Sequence, residues 1–195
     1  MRGDFNNALR AYVKARDYCQ TNQHVIDMCL NVIKASIELG NFAHVLSYVA
    51  KAEQSGSWAQ TKEGAEKAPV SASDRVVIAK LNAASGLANL DSRKYKQAAK
   101  KFLEVSPDLG NHFNDVIAPI DIAVYGALCA LATYDRSELK KKVIENADFK
   151  NFTELIPDIR DIINDFYNSK YGSCLEKLAR FKVCAFCLIY YQITF

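Results

Sequence analysis

The feature that most constrains this chain is a short phrase that recurs along it. Residues 3–15 read GDFNNALRAYVKA, and residues 40–52 read GNFAHVLSYVAKA. Related phrases begin at residues 93 and 169, so the spacings are 37, 53 and 76, and the last is twice 38. Internal repeats with a period of about 20 to 50 residues are typical of architectures in which each unit buries its apolar side against a neighbour.

Each phrase places apolar residues two, five, six, nine and twelve positions after its first residue. Steps of three and four residues bring these positions onto one stripe of an α-helix. The repeat-core residues predicted in this way are Phe5, Leu9, Tyr12, Phe42, Leu46, Val49, Tyr95, Ala99, Phe102, Tyr171, Leu175 and Leu178, with Ala8, Val45, Ala98 and Cys174 at the fifth position. We expect the leading aromatic residue to be buried, so that Phe42→Ala costs roughly 3 to 5 kcal/mol.

Further helical patterns lie between the phrases. Residues 24–40 keep their polar side chains to one narrow stripe, and residues 122–134 carry no charge. A helix that is apolar over most of its circumference is covered on two sides, as the inner helix of a stacked hairpin is. Gly126 and the alanines beside it allow neighbouring helices to approach closely. Another helix begins at Pro157, a favoured first helical residue. The pattern predicts an all-α solenoid of about four to five helical hairpins.

The spacings also predict where the array is interrupted. Residues 54–73 are rich in Ser, Ala, Gly and Gln, and we interpret them as a flexible insert within a repeat region that spans residues 1–182. Residues 134–144 are the natural candidate for a unit hidden in the last spacing. Residues 183–195 form an apolar tail with no charged side chain, and we expect it to be either a core-like cover or an aggregation hazard.

Charge and length disfavour several classes of partner. The net charge is only +3, which disfavours nucleic acid and anionic lipid. A basic cluster (Arg93, Lys94, Lys96, Lys100, Lys101 and Lys140 to Lys142) spreads around the exposed sides of two helices, so we do not expect nucleic acid binding there. The 13-residue tail is shorter than the 18 or more residues of a membrane span. The amino terminus lacks the apolar run of a secretory leader.

We expect no enzymatic activity, cofactor, metal or small-molecule substrate. His24, His44 and His112 are isolated, and no phosphate-binding glycine motif is present. Asp158, Asp161 and Asp165 lie on one face of a predicted helix, and we interpret them as a solvated face that favours the helix dipole rather than as a metal site. Cys184 and Cys187 lack the second pair that a zinc site needs. The single cysteines Cys19, Cys29, Cys129 and Cys174 are predicted to act as small apolar side chains.

The phrases resemble the second helix of a tetratricopeptide repeat, although 37 to 38 residues is a long period. That period is similar to the looser repeats that precede the winged-helix domain in the PCI class of proteasome-lid, signalosome and initiation-factor subunits. Within this class, residues 3–182 resemble the family of first subunits of the COP-nine signalosome more closely than the Rpn-seven type of the proteasome lid. The resemblance is carried by ARDYC, HVIDMCLNVIKASIELGNFAHVLSYVAKAEQ, KYKQAAKKFLEV, IAVYGALCALATYDRSELKKKVI and DIINDFYNSKYGSCLEKL. NHFNDVIAPIDIA resembles plant members.

This resemblance implies a right-handed solenoid that acts as a non-catalytic scaffold in the cytoplasm and nucleus. Its partners would be other signalosome subunits and cullin ligases, from which the complex removes a ubiquitin-like modifier. Two alternatives stay open, a proteasome-lid subunit and a free peptide-binding tetratricopeptide module. The family pattern also implies a helix upstream of Met1 that pairs with residues 3–15, and a winged-helix domain that we expect to be absent here, as it would be from a truncated product.

Overall fold

The structure is a computed structural model that describes residues 4–56, 58 and 71–180. Within these residues it contains ten α-helices and no strand. The helices are α1 (Phe5–Ala15), α2 (Asn22–Glu38), α3 (Phe42–Ser55), α4 (Ala72–Asp91), α5 (Tyr95–Leu103), α6 (Pro119–Thr133), α7 (Arg136–Leu139), α8 (Ala147–Glu154), α9 (Pro157–Tyr167) and α10 (171–180). A π-helical turn, Lys140–Ile144, continues α7, and short 3₁₀ turns occupy Arg16–Tyr18 and Pro107–Leu109.

Polar side chains define where several helices begin. Asp4, Thr21, Asn41 and Ser71 each accept a hydrogen bond from the backbone N–H three residues later, at 3.1 to 3.3 Å. Such caps satisfy one of the four N–H groups that the first turn of a helix leaves without a partner. Proline occupies the first position of α6 and α9, where its missing N–H costs nothing.

The repeated phrase begins at the turn between the two helices of a hairpin. Its first residue is Gly40, Arg93 or Ser169, and all three adopt a left-handed backbone, with φ of 69°, 58° and 62°. In each turn the next residue donates its N–H to the carbonyl five residues earlier, at 2.9, 2.8 and 2.8 Å. This is the Schellman arrangement that ends a helix, and it recurs with the sequence repeat. The repeat is therefore a structural unit, a helical hairpin joined by one type of turn.

Helices that follow one another along the chain pack against one another. The closest packing joins α2 to α3, α3 to α4, α4 to α5 and α5 to α6, while α6 also contacts α8 and α9. The predicted all-α helical-repeat solenoid is confirmed, and its right-handed sense stays a prediction. The inner helices α2, α4 and α6 are buried over most of their surface, and Asp27, Asn31 and Glu38 stay on the exposed stripe of α2 as predicted.

Phe102 of α5 packs where α4, α5 and α6 meet. Its side chain is completely buried between Gly86 of α4 and Gly126 of α6. A Cβ atom at Gly86 would lie 2.6 Å from the Phe102 ring, and one at Gly126 would lie 2.9 Å from the Phe149 ring and 3.2 Å from Phe102 Cβ. Glycine at these two positions lets α5 and α8 pack directly onto the backbones of their neighbours.

The array becomes less regular after α6. Of residues 134–144, predicted as a hidden unit, residues 136–144 are helical, and Leu139 and Val143 are buried. The turn before them differs from the other hairpin turns, because Tyr134 is extended with ψ of 143°. The resulting helix is short and ends in the π-helical turn. The sequence prediction did not single out α4 or α8, whose residues fall between the phrases.

The structure describes only part of the predicted insert and none of the predicted tail. α3 continues to Ser55 and α4 begins at Ala72, so both ends of the insert predicted over 54–73 are helical. Its remaining residues 57 and 59–70, and the tail 183–195, lie outside the described residues. In the described part of the chain, no helix combines the length and the apolar character needed to cross a membrane.

Candidate interaction surfaces

The predicted repeat-core residues fall into three groups by burial. Val49, Ala99 and Phe102 lie in the core, whereas Phe5, Leu9, Tyr12, Phe42, Leu46 and Leu178 are partly buried. Tyr95, Tyr171 and Leu175 are 43%, 53% and 65% exposed, so their placement in the core was wrong. The leading aromatic is the first residue of its helix, directly after the hairpin turn. It therefore lies at the end of the hairpin, where the preceding helix has already stopped.

Positions five and six of the phrase face different neighbours. In α10, the Cys174 thiol donates to the Ile162 carbonyl of α9 at 3.8 Å and is buried, whereas Leu175 is exposed. The fifth position thus faces the first helix of the same hairpin. In α1, Leu9 packs against the core and α2 is its main neighbour, so the sixth position faces the first helix of the next hairpin. The position of a residue in the phrase therefore predicts which neighbouring helix its side chain faces.

This rule identifies an open groove at the first end of the array. Val45, Ala98 and Cys174 at the fifth position are at most 2% exposed, but Ala8 is only partly buried. Ala8 lines the groove, with a volume of about 440 Å³, together with Phe5, Tyr12, Asn31, Lys34, Ala35, Glu38 and Asp115. We call it the α1–α2 groove. No residue of α1 is fully buried.

At the other end of the described array, α10 presents an apolar edge. Tyr171 and Leu175 are one helical turn apart and exposed, and Leu178 is partly buried. Tyr171 contacts Phe166 edge-on, with ring centroids 5.8 Å apart. We call these residues the α10 edge.

The aspartates predicted as a solvated face attach α10 instead. The Asp165 carboxylate accepts hydrogen bonds from Lys177 Nζ and Ser173 Oγ, both at 2.7 Å, and Lys177 also lies 3.9 Å from Asp161. These bonds, first that from Lys177, hold the pKa of Asp165 below its usual value. Asp158 is exposed and the Asp161 side chain is 49% exposed, whereas the Asp165 side chain is only 15% exposed. The solvated-face interpretation was wrong for Asp165, because the sequence could not show that α10 returns over it.

A second polar contact fastens the α9–α10 turn. The Arg136 guanidinium of α7 donates to the Tyr167 carbonyl at the end of α9, and to Ser169 Oγ at 3.2 Å. It also lies over the Tyr167 ring, 5.2 Å from the centroid. One cation thus satisfies a carbonyl that the helix end leaves free.

The basic cluster is largely neutralised by neighbouring carboxylates. Glu138 accepts a hydrogen bond from Lys142 at 2.8 Å and pairs with Lys96 at 3.4 Å, and the Lys142 bond in particular lowers the pKa of Glu138. Lys101 lies 3.7 Å from Glu53 and donates to Asn82 Oδ1 at 3.1 Å. Arg93, Lys94 and Lys141 have no carboxylate within 4 Å among the described residues. A surface with this mixture of charges lacks the continuous positive stripe that tracks a phosphate backbone.

The cysteines lie where apolar side chains are expected. Cys29, Cys129 and Cys174 are buried, as predicted, and Cys19 is partly buried. Burial raises the pKa of Cys129 to about 11 and also raises the pKa of Cys29 and Cys174. These thiols are therefore neutral at pH 7 and are poor nucleophiles.

Two apolar surfaces are the most prominent features of the described part of the chain. Among residues 4–56, 58 and 71–180, no three His, Cys, Asp or Glu residues are placed to hold one metal ion. The prominent features are instead an apolar groove and an apolar helix edge at the two ends of a hairpin array. Fold and surface together define a helical-repeat protein of the kind that presents packing surfaces to other chains.

Comparison with known proteins places the chain in a family. The sequence profile of the family described as 26S proteasome subunit RPN7 matches residues 1–142, and the chain belongs to that family. It is 56% identical over 180 residues to COP9 signalosome complex subunit 1 of Arabidopsis thaliana, which covers 92% of this chain and 38% of that protein. The predicted resemblance to this family and to its plant members is confirmed.

Other relatives show the same preference within the family. COP9 signalosome complex subunit 1b of Drosophila melanogaster is 51% identical over 176 residues, covering 90% of this chain and 32% of that protein. The 26S proteasome non-ATPase regulatory subunit 6 of Dictyostelium discoideum is 31% identical over 90 residues, covering 46% of this chain and 23% of that protein. The chain spans less than two fifths of the length of these signalosome relatives.

Proposed function

We propose that this chain is a non-catalytic scaffold subunit of the COP9 signalosome. The observation that carries the proposal is the extent of the similarity. Identity of 56% to a signalosome subunit extends over 92% of the chain, whereas the similarity to the proteasome subunit covers 46% at 31% identity. A helical array whose surface residues bind sister subunits retains those residues along its whole length, which supports a shared role with the signalosome relatives.

The physical properties of the described surfaces support this role. The array is held together by apolar packing, and its buried thiols have raised pKa values, so it offers shape and apolar contact area rather than reactive groups. In this proposal the chain binds other signalosome subunits and contacts cullin ligases, from which the assembled complex removes a ubiquitin-like modifier. The reaction itself belongs to another subunit, and the chain acts in the cytoplasm and nucleus.

Co-purification tests the proposed partners. The tagged chain is expressed in plant cells, recovered by its tag, and its partners are identified by mass spectrometry. We expect signalosome subunits to be enriched over a Phe102→Asp control, which places a charge in the buried core and disrupts the array. Enrichment of proteasome-lid subunits instead would support the second member of the family. Recovery of neither set, from a chain whose helical circular dichroism is intact, would refute the assignment.

An activity assay tests the proposed absence of catalysis. The purified chain is incubated alone with a cullin conjugate of the ubiquitin-like modifier, and the products are separated by electrophoresis. We expect no cleavage, while a complete signalosome in the same buffer cleaves the conjugate. Cleavage by the chain alone would show that the scaffold role is wrong. Fluorescence imaging of the tagged chain, compared with the tag alone, tests the proposed location.

A further inference from the structure

A cleft lies where α8, α9 and the π-helical turn meet, and we call it the α8–α9 cleft. Its volume is about 320 Å³, within the range of roughly 300 to 1,000 Å³ that is typical of ligand sites in proteins. The three segments that line it, and their neighbours along the chain on both sides, belong to the described residues. The cleft is therefore bounded by consecutive elements within the array and is not a vacant repeat position at one of its ends.

The floor of the cleft is apolar and includes an unusual turn. Val143 and Ile144, the last two residues of the π-helical turn, line the cleft together with Ile163 of α9. The Glu145 N–H donates to the Lys140 carbonyl five residues earlier at 2.9 Å, which is the hydrogen bond of a π-helix. Such turns are rare and are frequently found at functional sites. Ile144 is only partly buried, so an aliphatic side chain that enters the cleft gains apolar contact there.

The polar side chains that line the cleft leave donor groups free. The Lys150 ammonium group and the Asn164 amide form no ion pair or hydrogen bond with the described residues. Arg160 Nε lies 3.9 Å from the carboxylate of Asp161, its neighbour in sequence, whereas Thr153 Oγ1 already donates to the Lys150 carbonyl at 3.0 Å. Among the described residues, none of those that line the cleft is acidic. The lining thus combines two positive charges with a free amide, and it attracts a carboxylate.

We propose that the α8–α9 cleft binds an acidic segment of another protein, with an aliphatic side chain on the floor and flanking Asp or Glu side chains at Lys150 and Arg160. The guanidinium group suits this partner, because two parallel N–H groups donate to the two oxygens of a carboxylate. The bound aliphatic group excludes water from the cleft, which strengthens charge pairs that are weak when fully exposed. The inference rests on the cleft alone and not on the signalosome assignment, so failure of one proposal leaves the other unchanged.

The probe is a set of four fluorescein-labelled peptides, GSEDXEEDSG, in which X is leucine, isoleucine, valine or methionine. Each peptide is titrated with the complete chain, and fluorescence anisotropy is the readout. We expect saturable binding that weakens as salt is added, because ions screen charge pairs that stay partly exposed. Matched peptides with serine at X, or with glutamine in place of every acidic residue, should bind about tenfold more weakly. Absence of saturable binding by all four peptides would overturn the proposal, and so would equal binding by the glutamine peptide.

Matched variants locate the binding site, and circular dichroism checks that each is folded. Lys150→Gln and Arg160→Gln each remove one positive charge from the cleft and should weaken binding about threefold to tenfold. Lys94→Gln makes the same change of charge at an exposed lysine that does not line the cleft, and it should leave the affinity unchanged. Asn164→Trp should block the cleft, whereas Asn151→Trp, at an exposed position of α8 outside the lining, should not. Equal affinities for the cleft variants and their controls would overturn the proposal.

Competition distinguishes a site for a peptide from a site for small carboxylates. The unlabelled parent peptide should displace the probe, whereas glutarate at the same concentration should not, because it lacks the side chain that contacts the floor. Displacement by glutarate at equal concentration would show that the cleft takes small carboxylates, and the proposed peptide partner would be wrong.

Discussion

Replacing Gly86 by alanine tests the packing on which the middle of the array depends. Glycine in a helix interior is about 1 kcal/mol less favourable than alanine, so helix propensity alone predicts that Gly86→Ala stabilises the protein. The structure predicts the opposite. The new Cβ would lie 2.6 Å from Cε1 of the Phe102 ring and 2.8 Å from Cδ1 and Cζ, and that ring is fully buried.

The expected change in the free energy of unfolding combines the gain in helix propensity with the cost of the close contact. Overpacking a close-packed core costs roughly 1 to 3 kcal/mol, and contacts below 3 Å with a fixed ring belong at the upper end. After the gain in helix propensity, Gly86→Ala should lower the free energy of unfolding by about 1 to 2 kcal/mol. For a chain of this length each kcal/mol lowers Tm by about 2 to 4 °C.

The assay is urea unfolding followed by circular dichroism, with Gly172→Ala as the matched control. Gly172 also lies in a helix, but nothing approaches its Cβ position within 4 Å, so this variant should be neutral or stabilising by about 0.5 kcal/mol. Adding Phe102→Leu to Gly86→Ala removes ring atoms from the clash, so the double variant should be more stable than the sum of the single effects by about 1 kcal/mol. If both alanine variants stabilise equally, the close contact at Phe102 does not exist.

Three further predictions follow from the turns, the α9–α10 contact and the repeat core. Arg93→Gly should stabilise the protein by about 0.5 to 1 kcal/mol in urea unfolding, because glycine adopts the left-handed turn without strain; a destabilised variant would contradict that geometry. Asp165 has a lowered pKa, so its contribution is complete above the usual value of 3.8 and is lost as the pH falls through the lower folded-state pKa. The protection of the α10 amides against hydrogen exchange, relative to their intrinsic rates at each pH, should therefore fall in acid, and α10 should exchange faster in Asp165→Asn than in the parent already at pH 7; unchanged protection would refute the role of this contact. Phe102→Ala should lower the free energy of unfolding by roughly 3 to 5 kcal/mol, whereas Phe42→Ala, at a partly buried position, should lower it by only about 1 to 2 kcal/mol. Equal urea midpoints for these two variants would contradict the observed difference in burial.

Much of the hairpin array could be predicted because the apolar stripe of each helix is visible in the sequence of that segment alone. The phrase starting at Gly40 shows the turn residue, the cap Asn41 and the helix that follows, all within a few residues. Residues 134–144, which lie between the phrases at residues 93 and 169, were harder to predict. The turn at Tyr134 lacks the left-handed residue that marks the other hairpin turns. The sequence analysis did not single out helices α4 and α8.

The candidate surfaces were less predictable, because exposure depends on which helix lies beside which. Leu46, Ala99 and Leu175 occupy the same position of the phrase, yet they are partly buried, completely buried and 65% exposed. No local pattern separates them, because the difference lies in whether another helix of the described array covers them. The pairing of Asp165 with Lys177 was missed for the same reason, since these residues come from different helices.

The sequence by itself determined the helical character of this protein, its hairpin period and its family, because apolar periodicity, caps and left-handed turn residues are properties of short segments. Only the tertiary structure decided which apolar residues face another helix and which face open space at the ends of the array. The physical reason is that burial is a relation between segments distant along the chain. Ala8 and Val45 occupy the same position in their phrases, yet Ala8 lines a groove and Val45 lies in the core. The difference arises from the helices that lie beside α1 and α3.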